Sequence, residues 1–362
     1  MRNSRGISFL AIIGFLVLSF VVLTGNSANA KTFRLTVGSG VSPDGVSAHG
    51  AFRDFFVPEV KKRVESTTEY KIEWVTGWSG AIAKIGEVLE SVQDGLLDVG
   101  LPMYLFEPSK LFIHNFSIYM PFSTPDAHQA ARIYWRMHQQ IPFLREIFEK
   151  KYNQKYISVG VIGDYGLITT FPWKKAEELK GHKIGAAGPN LPWVRYAGAV
   201  PVQMNYPEAY TSLQTGVYEG VIGPVGGSVG FKLQEVAPYF TDCHLGCLAI
   251  GSITVNLNTW NKLPPEIQKI MLDVGKEFPE ASAVRDDQLQ QKAFNILRNG
   301  GGHLYELPVQ ERAHWAKMLA EFPNKKAQEA NKMGLPGTLV MKTYMEEQEK
   351  DGYKFPYRYV ID

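Results

Sequence analysis

The chain is poor in cysteine and has almost no net charge. Two cysteines among 362 residues are too few for a disulfide-dense scaffold or a four-thiolate zinc site. The 38 Lys and Arg against 36 Asp and Glu leave a formal net charge of +2, which argues against a nucleic-acid-binding protein, because such proteins carry a basic surface. A hydrophobic content of 45% argues against long disordered regions or a fibrous repeat. The length is typical of two globular domains.

Most motifs of catalysis and nucleotide binding are also missing. The sequence contains no His-Glu-x-x-His, no Walker loop and no Gly-x-Gly-x-x-Gly after a predicted strand. A Gly-x-Ser-x-Gly motif does occur at Gly226–Gly230, with Asp242 and His244 downstream in the order of a hydrolase triad. Glycine and proline at 223–226 do not favour the strand that must precede such a serine. We therefore expect a glycine loop here, and a secreted serine hydrolase using Ser228 is the alternative function.

The first thirty residues differ in composition from the rest of the chain. Arg2 and Arg5 precede an apolar run at 7–24, and the small residues Ala28 and Ala30 follow it. This is the pattern of a secretory signal peptide cleaved after Ala30, although an apolar run of ~18 residues also suits an uncleaved membrane anchor. No later apolar run reaches that length, so we expect a soluble mature protein in the periplasm.

The hydrophobic pattern predicts an α/β protein in two parts. Strands and helices alternate from Phe33 to Leu101, and the alternation restarts near Ile157. This predicts two α/β lobes, with parallel strands, on either side of a cleft. A helical stretch from Pro264 to Asn299 is roughly 54 Å long, enough to cross both lobes. Pro279 leaves open the alternative of two helices that break at Phe278–Pro279.

The two cysteines leave three interpretations open. Export permits a disulfide between Cys243 and Cys247. Residues four apart in a strand lie ~13 Å from each other, however, so a turn at Gly246 has to bring the two sulfurs together. A metal site that includes His244 is the second interpretation, and two buried apolar cysteines are the third.

Three motifs in the middle of the chain point to a known family. They are Leu-Lys-Gly-His-Lys-Ile at 179–184, Gly-Ala-Val-Pro at 198–201 and Glu-Ala-Tyr-Thr-Ser-Leu-Gln-Thr-Gly at 208–216. Together they resemble the substrate-binding proteins of TRAP transporters, the dicarboxylate-type family. Further matches extend the resemblance over most of the mature chain, at 93–98, 120–122 and 263–268.

The resemblance implies a bilobed periplasmic-binding-protein-like fold that closes around one small ligand. The first lobe is expected at 31–163 and the second at 164–249. The chain then returns to the first lobe at 250–288, and 289–362 holds the second half of the long helix, part of the second lobe and the C-terminal helices. A non-catalytic monomer with no cofactor and no metal is implied, which delivers a small organic solute to TRAP permease subunits. A ligand-sensing partner of a membrane receptor is a third class of function.

The chain departs from the family pattern at positions that contact the ligand. The family places one arginine after the Lys-Ile pair and another ahead of a Thr-Thr-like pair, and these positions are Gly185 and Gly166 here. The family's Gln-Glu-Asn-Pro-like stretch has become Val-Ile-Gly-Pro at 221–224, with Gly223 in place of the Asn. Because an arginine fork is the preferred partner of a carboxylate, these changes predict a larger, more apolar cleft and a bulky or aromatic ligand.

Aromatic residues are the candidates for the walls of this cleft. They are Trp78, Tyr104, Tyr165, Trp193 and Tyr206. A buried ligand carboxylate still needs a partner, because an unpaired buried charge is costly. Arg195 and the backbone amides of a helix N-terminus near 188–190 are the candidate partners.

We predict that the exported protein begins at Lys31, because the small residues at 28 and 30 suit the signal peptidase. Mass measurement of the protein from the periplasmic fraction tests this. The expected mass is that of residues 31–362, and a mass that still includes residues 1–30 would contradict the prediction.

Overall fold

The computed structural model describes residues 31–362, so the predicted signal peptide lies outside the described residues. The strands of this part of the chain are β1 (Thr32–Gly38), β2 (Lys71–Gly77), β3 (Val99–Gly100), β4 (Gln154–Ile162), β5 (Tyr165–Thr169), β6 (Lys183–Ala186), β7 (Val200–Gln203), β8 (Gly220–Pro224), β9 (Tyr239–Asp242), β10 (Leu248–Asn256) and β11 (His303–Glu306). They form two sheets, and the fold is the predicted bilobed α/β arrangement.

Helices cover both sheets. They are α1 (Ser47–Ala51), α2 (Val57–Thr67), α3 (Val88–Gln93), α4 (Phe116–Tyr119), α5 (Ala127–Gln140), α6 (Phe143–Tyr152), α7 (Leu191–Tyr196), α8 (Tyr206–Gln214), α9 (Val225–Gly230), α10 (Leu257–Trp260), α11 (Pro265–Asn299), α12 (Val309–Met318), α13 (Phe322–Lys332) and α14 (Gly337–Lys350). A π-helical segment, Phe52–Phe56, joins α1 to α2. Among residues 31–362, no helix has the length and apolar character needed to cross a membrane.

Each lobe contains one mixed sheet, which corrects the expectation of parallel strands. The sheet of lobe I has the order β2-β1-β3-β10-β4, and β10 is antiparallel to both of its neighbours. The sheet of lobe II has the order β11-β9-β5-β8-β6-β7, and β5 is antiparallel to β8 and β9. The physical reason is the direction of the chain: β10 enters lobe I from lobe II, whereas β1 to β4 all run toward lobe II.

The long helix α11 is continuous through Pro279, so the single-helix hypothesis is confirmed. A proline leaves the carbonyl four residues earlier without its helical hydrogen bond. That carbonyl belongs to Gly275, and the buried hydroxyl of Ser158 on β4 donates to it at 2.6 Å. The strand therefore replaces the bond that the helix loses. The helix packs on α1, α5 and β4 in lobe I and on α9 and β11 in lobe II.

The C-terminal segment contacts both lobes. Strand β11 joins the sheet of lobe II beside β9. Helix α14 packs against α4 and α5 of lobe I, and α13 also contacts α4. Residues 289–362 thus extend from lobe II across to the helices of lobe I.

Two connections between the lobes run side by side. The first leads from β4 to β5 through Gly163 and Asp164, and the second leads from β9 to β10 through residues 243–247. The amide of Gly163 donates to the buried Asp286 of α11 at 2.9 Å. Asp164 accepts hydrogen bonds from the Gly246 amide at 2.8 Å and from His244 Nδ1 at 2.6 Å. These hydrogen bonds join both connections to the long helix at one place. We call this place, formed by Gly163, Asp164, residues 243–247 and Asp286, the hinge.

Charged groups surround His244 at this hinge. Its Nδ1 also lies 3.4 Å from Asp242, and its Nε2 lies 3.5 Å from Glu306 at the end of β11. Burial opposes the imidazolium, but the hydrogen bond and charge of Asp164 outweigh it and raise the pKa of His244 to about 9. Burial, and then the charge of Asp164, raise the pKa of Asp242 to about 7. A proton at the hinge therefore favours the folded state.

Both cysteines lie beside this histidine, and both are free and buried. The thiol of Cys243 donates to the Thr241 carbonyl at 3.3 Å, and that of Cys247 donates to the Pro125 carbonyl at 3.2 Å. The interpretation as two buried apolar side chains therefore describes them, because each sulfur contacts main chain.

We predict that His244→Gln lowers stability by about 1.5–3 kcal/mol near neutral pH, the usual contribution of a hydrogen bond to a charged group. The pKa of His244 is raised to about 9, above the unfolded value of about 6.5. Its contribution is therefore complete below about pH 6.5 and is lost as the pH rises through about 9. Thermal melts of both proteins from about pH 6 to 10 measure the difference.

The matched control is His314→Gln, because His314 is more exposed and also pairs with a glutamate, Glu177. Its melting temperature should stay close to that of the wild type at every pH. A His244→Gln difference that is independent of pH would contradict the prediction.

Candidate functional site

The candidate site is the edge at which the lobe I strands end. Strands β1, β2 and β3 are parallel and end in register at Gly38, Gly77 and Gly100. β4 runs the same way and leads directly into lobe II. Ligands of open α/β sheets bind outside the carboxyl ends of such strands. Lobe II approaches this edge closely, because a Cβ on Gly230 of α9 would lie 3.9 Å from Gly45 Cα.

Tyr165 and Trp193 contact each other on the lobe II side. Tyr165 begins β5 immediately after the hinge, and its ring meets Trp193 edge-on with centroids 5.9 Å apart. The indole N–H of Trp193 donates to the Ile118 carbonyl of lobe I at 2.8 Å. This bond holds α7 against α4. Both aromatic side chains are buried.

Tyr206 and Gly223 form a matched pair. The Tyr206 ring stacks on Phe231 with centroids 5.1 Å apart. Its hydroxyl occupies the place of a side chain at 223, because a Cβ on Gly223 would lie only 1.9 Å from that oxygen. The hydroxyl is buried and has no hydrogen-bond partner in the protein. A phenol therefore fills the position at which the family pattern has a polar side chain.

The other two glycines differ in the room around them. Gly166 pairs with Gly223 across β5 and β8, and a Cβ on it would lie 2.6 Å from the Thr241 carbonyl oxygen, which is backbone. A Cβ on Gly185 would lie 3.2 Å from the ring of Tyr218 and 3.3 Å from Met204 Cβ. A side chain at 185 thus requires small shifts of two side chains, whereas one at 166 requires the backbone to move.

Trp78 and Tyr104 belong to lobe I. Trp78 follows the last residue of β2 at the site edge, and its half-buried ring meets Phe52 edge-on at 5.5 Å. Tyr104 is fully buried, and its hydroxyl bonds to Ser252 Oγ and lies 3.4 Å from His138 Nε2. The hydroxyl of Tyr104 is thus hydrogen-bonded inside lobe I, whereas Trp78 lies at the edge where the lobe I strands end.

Two candidate partners for a ligand carboxylate came from the sequence. Arg195 is exposed to solvent, and the backbone amides near 188–190 are already hydrogen-bonded. Arg195 is exposed on α7, on the outer surface beside Tyr196 and Phe322. The Ala187 amide donates to Asn190 Oδ1 at 2.9 Å, and the Gly188 amide donates to Gln203 Oε1 at 3.0 Å. Neither arrangement offers a free donor to the cleft.

Sequence reasoning did not include His49 and Asp286 among the site residues. His49 is fully buried in α1, where its ring lies against the backbone of Leu101. Asp286 is buried in α11, and burial raises its pKa to about 6. Burial, and then the nearby Tyr206 and Asp286, raise the pKa of the Tyr165 phenol. The one signal for His49 was a histidine among small and apolar residues, Ser-Ala-His-Gly-Ala.

The hydrolase triad is not assembled. Ser228 lies within α9, and its buried Oγ makes no hydrogen bond in the protein. His244 bonds to Asp164 and lies 3.4 Å from Asp242, but it makes no hydrogen bond to Ser228. Our expectation that Gly223 and Pro224 do not form a strand was wrong, because β8 includes both. Pro224 is tolerated because it is the last residue of the strand, where its missing N–H is not needed.

The comparisons with known proteins agree with this arrangement. The C4-dicarboxylate-binding periplasmic protein DctP of Rhodobacter capsulatus is 29% identical over 132 residues, 36% of this chain and 39% of that protein. A TRAP periplasmic solute binding protein from Bordetella bronchiseptica, with bound (R)-mandelate and (S)-mandelate, superposes with a TM-score of 0.74 at 20% identity. The match covers 88% of this chain and 99% of that one.

A second solved structure has the same fold. It is a TRAP periplasmic solute binding protein from Sulfitobacter sp. NAS-14.1 with bound β-D-galacturonate, with a TM-score of 0.71, 17% identity and coverage of 86% of this chain and 100% of that chain. The sequence pattern of the bacterial extracellular solute-binding proteins, family 7, matches residues 41–329. That match covers well over half of the sequence, so this chain belongs to family 7 of the bacterial extracellular solute-binding proteins.

Proposed function

We propose that the protein captures a bulky or aromatic carboxylic acid outside the cytoplasm and delivers it to TRAP permease subunits. It acts as a monomer and without catalysis. The observation that carries this proposal is the Tyr206 hydroxyl over Gly223, at a separation that leaves no room for a side chain at 223. Where the family pattern has a polar side chain, this chain has the hydroxyl of a phenol, and the Tyr206 ring behind it adds apolar area.

The aromatic walls favour a flat apolar ligand. Trp78 on lobe I and Tyr165, Trp193 and Tyr206 on lobe II are the proposed contacts, with Gly166, Gly185 and Gly223 between them. Each aromatic pair contributes about 0.5–1.5 kcal/mol beyond the burial of its area. A short dicarboxylate gains little from such walls, and it would bury two charges without a guanidinium partner.

Two related structures hold ligands of different chemistry, and the proposed site can be compared with each. The Bordetella bronchiseptica protein holds mandelate, an aromatic hydroxy acid, and the Sulfitobacter protein holds galacturonate, a sugar acid. A sugar acid presents hydroxyls on every side, and each needs a polar partner when it is buried. The apolar rings of Trp78, Tyr165 and Trp193 supply few such partners, so an aromatic acid is the better match.

We predict that the protein binds aromatic acids such as mandelate and benzoate, and binds succinate at least about tenfold more weakly, a difference of about 1.4 kcal/mol. Gly185→Arg should raise the affinity for succinate, because the guanidinium offers a two-donor fork to a carboxylate. Titration calorimetry with each acid measures both effects.

Gly166→Arg is the contrasting variant, because its Cβ would meet a backbone carbonyl at 2.6 Å. It should lower the melting temperature without gaining affinity for succinate. Tight binding of succinate by the wild-type protein would rule out the proposed ligand class.

We predict that Gly223→Ala displaces Tyr206 and weakens aromatic-acid binding by about tenfold or more, given the 1.9 Å approach of the hydroxyl. In the Tyr206→Phe background the nearest ring atom is 3.1 Å from the new Cβ, so the same substitution should cost less. The coupling in a double-mutant cycle should be about 1 kcal/mol or more.

Gly227→Ala is the matched control, because its Cβ would meet its neighbours at 3.5 Å or beyond. Melting temperatures and dissociation constants of the cycle members and the control are the measurement. Additive effects of the substitutions at 206 and 223 would contradict the proposed pairing.

A further inference from the structure

Three segments that run between the lobes meet at the side chain of His244. Its Nδ1 lies 2.6 Å from Asp164 in the first connection, and its Nε2 lies 3.5 Å from Glu306 at the end of β11. His244 itself belongs to the second connection. After β11 the Leu307 amide donates to the Asp242 carbonyl at 2.9 Å, and the chain continues into the C-terminal helices that pack on lobe I. One imidazole therefore joins all three segments.

The backbone of His244 has a conformation that a side chain disfavours. Its φ is 49°, in the left-handed region, where residues other than glycine are uncommon. Glycine adopts this region at less cost, and the same connection has one at Gly246, with a φ of 105°. Such residues persist where the surrounding structure holds them, and they cluster at switch regions. This favours a role for the His244 side chain that offsets the cost to the backbone.

The lobes contact each other in the arrangement that has these bonds. A Cβ on Gly230 of lobe II would lie 3.9 Å from Gly45 Cα of lobe I, and the Trp193 indole donates to the Ile118 carbonyl of lobe I. Hinge residues absorb the backbone change when two lobes rotate apart. Because each of the three segments runs between the lobes, we expect such a rotation to lengthen their contacts with His244.

The imidazolium is the counter-charge of the carboxylates around it. Those of Asp164, Asp242 and Glu306 all lie within 3.5 Å of a ring nitrogen. Burial opposes the charged ring, but the hydrogen bond and charge of Asp164 raise the pKa of His244 to about 9. An arrangement of the lobes that loses these contacts returns the pKa toward about 6.5. Proton binding and the arrangement with the lobes in contact therefore favour each other.

We propose that His244 positions the two lobes for ligand capture: its protonated ring holds them together, and loss of the proton lets them separate and release the ligand. This inference rests on the proposed function, because capture between the lobes gives the hinge its role, but it does not depend on which acid binds. No covalent bond other than the N–H changes, and the proton is exchanged with solvent. His244 is a positioning residue that acts through the hinge.

Two charged groups near the ring have to be separated from it. Arg312 of α12 is a second cation, and its charge opposes the imidazolium. Burial, and then the charge of Asp164, raise the pKa of Asp242 to about 7. Asp242 therefore titrates at the lower end of the range in which His244 loses its proton. A variant of His244 distinguishes the two, because it leaves Asp242 in place.

The remaining titratable groups at the hinge lie outside that range. Asp286 of α11 bonds to the Gly163 amide, and burial raises its pKa to about 6. Burial also raises the pKa of the Tyr353 phenol and of the Cys243 and Cys247 thiols far above the usual values. Neither the phenol nor the thiols should ionise below about pH 9.5.

Small-angle X-ray scattering of the mature protein without ligand, from about pH 7 to about 9.5, measures the separation of the lobes. The radius of gyration of the wild type should increase with pH. That of His244→Gln should be larger already at pH 7 and should stay constant. Circular dichroism at each pH verifies that both proteins are folded.

Titration calorimetry with mandelate or benzoate measures the consequence for binding. The wild-type dissociation constant should rise about tenfold between about pH 7 and 9, because the arrangement that binds the acid becomes less populated. The dissociation constant of His244→Gln should be raised at pH 7 and should vary little with pH.

His128→Gln is the matched control. The ring of His128 also lies between two carboxylates, at 2.6 Å from Glu280 and 3.0 Å from Asp287, and its hydrogen bonds to Asp287 and Glu280 raise its pKa. This cluster joins α5 to α11 away from the hinge, so the variant should keep the wild-type dependence on pH.

A wild-type radius of gyration that stays constant from pH 7 to 9.5, or a change that persists in His244→Gln, would overturn the proposal. If His244→Gln does not fold, Glu306→Gln replaces it, because Glu306 is mostly exposed. With one carboxylate fewer, the change should occur at lower pH, and an unchanged midpoint would contradict the role of the cluster. The scattering needs no ligand, so a protein that binds none of the acids overturns the proposed ligand class while the scattering still decides this inference.

Discussion

The arrangement of the two lobes depends on how one short segment, Gly163-Asp164, is held. Asp286 of the long helix accepts the Gly163 amide on one side, and His244 and Gly246 of the second connection bond to Asp164 on the other. A Cβ on Gly163 would lie 1.9 Å from the Asp286 carboxylate, so the helix can approach only because this residue is glycine. Buried carboxylates are tolerated here because each accepts several hydrogen bonds.

The same segment positions the aromatic residues that we propose as walls of the cleft. Tyr165 is the residue that follows Asp164, so the hinge bonds also fix where its ring meets Trp193. Burial, and then the nearby phenol of Tyr206, raise the pKa of Tyr165, and the Tyr206 hydroxyl takes the side-chain position of Gly223. A site with the aromatic walls that we propose would distinguish ligands by shape and apolar area, whereas an arginine clamp distinguishes them by charge.

The treatment of buried polar groups separates structural residues from candidate ligand contacts. Ser158 satisfies the carbonyl that Pro279 leaves free, and His114 and His138 each bond to a carbonyl of lobe I. The buried hydroxyl of Tyr206, in contrast, has no hydrogen-bond partner in the protein.

The sequence by itself determined the alternating strands and helices, the long helix from Pro265, and the family. Each of these is encoded in local periodicity or in contiguous motifs such as the one at 179–184. The tertiary structure alone decided the antiparallel direction of β10, the hydrogen bond of Tyr104 to Ser252, and the hydrogen bond of His244 to Asp164. These depend on partners that lie as far as 148 residues away in the chain, and local patterns carry no information about such partners.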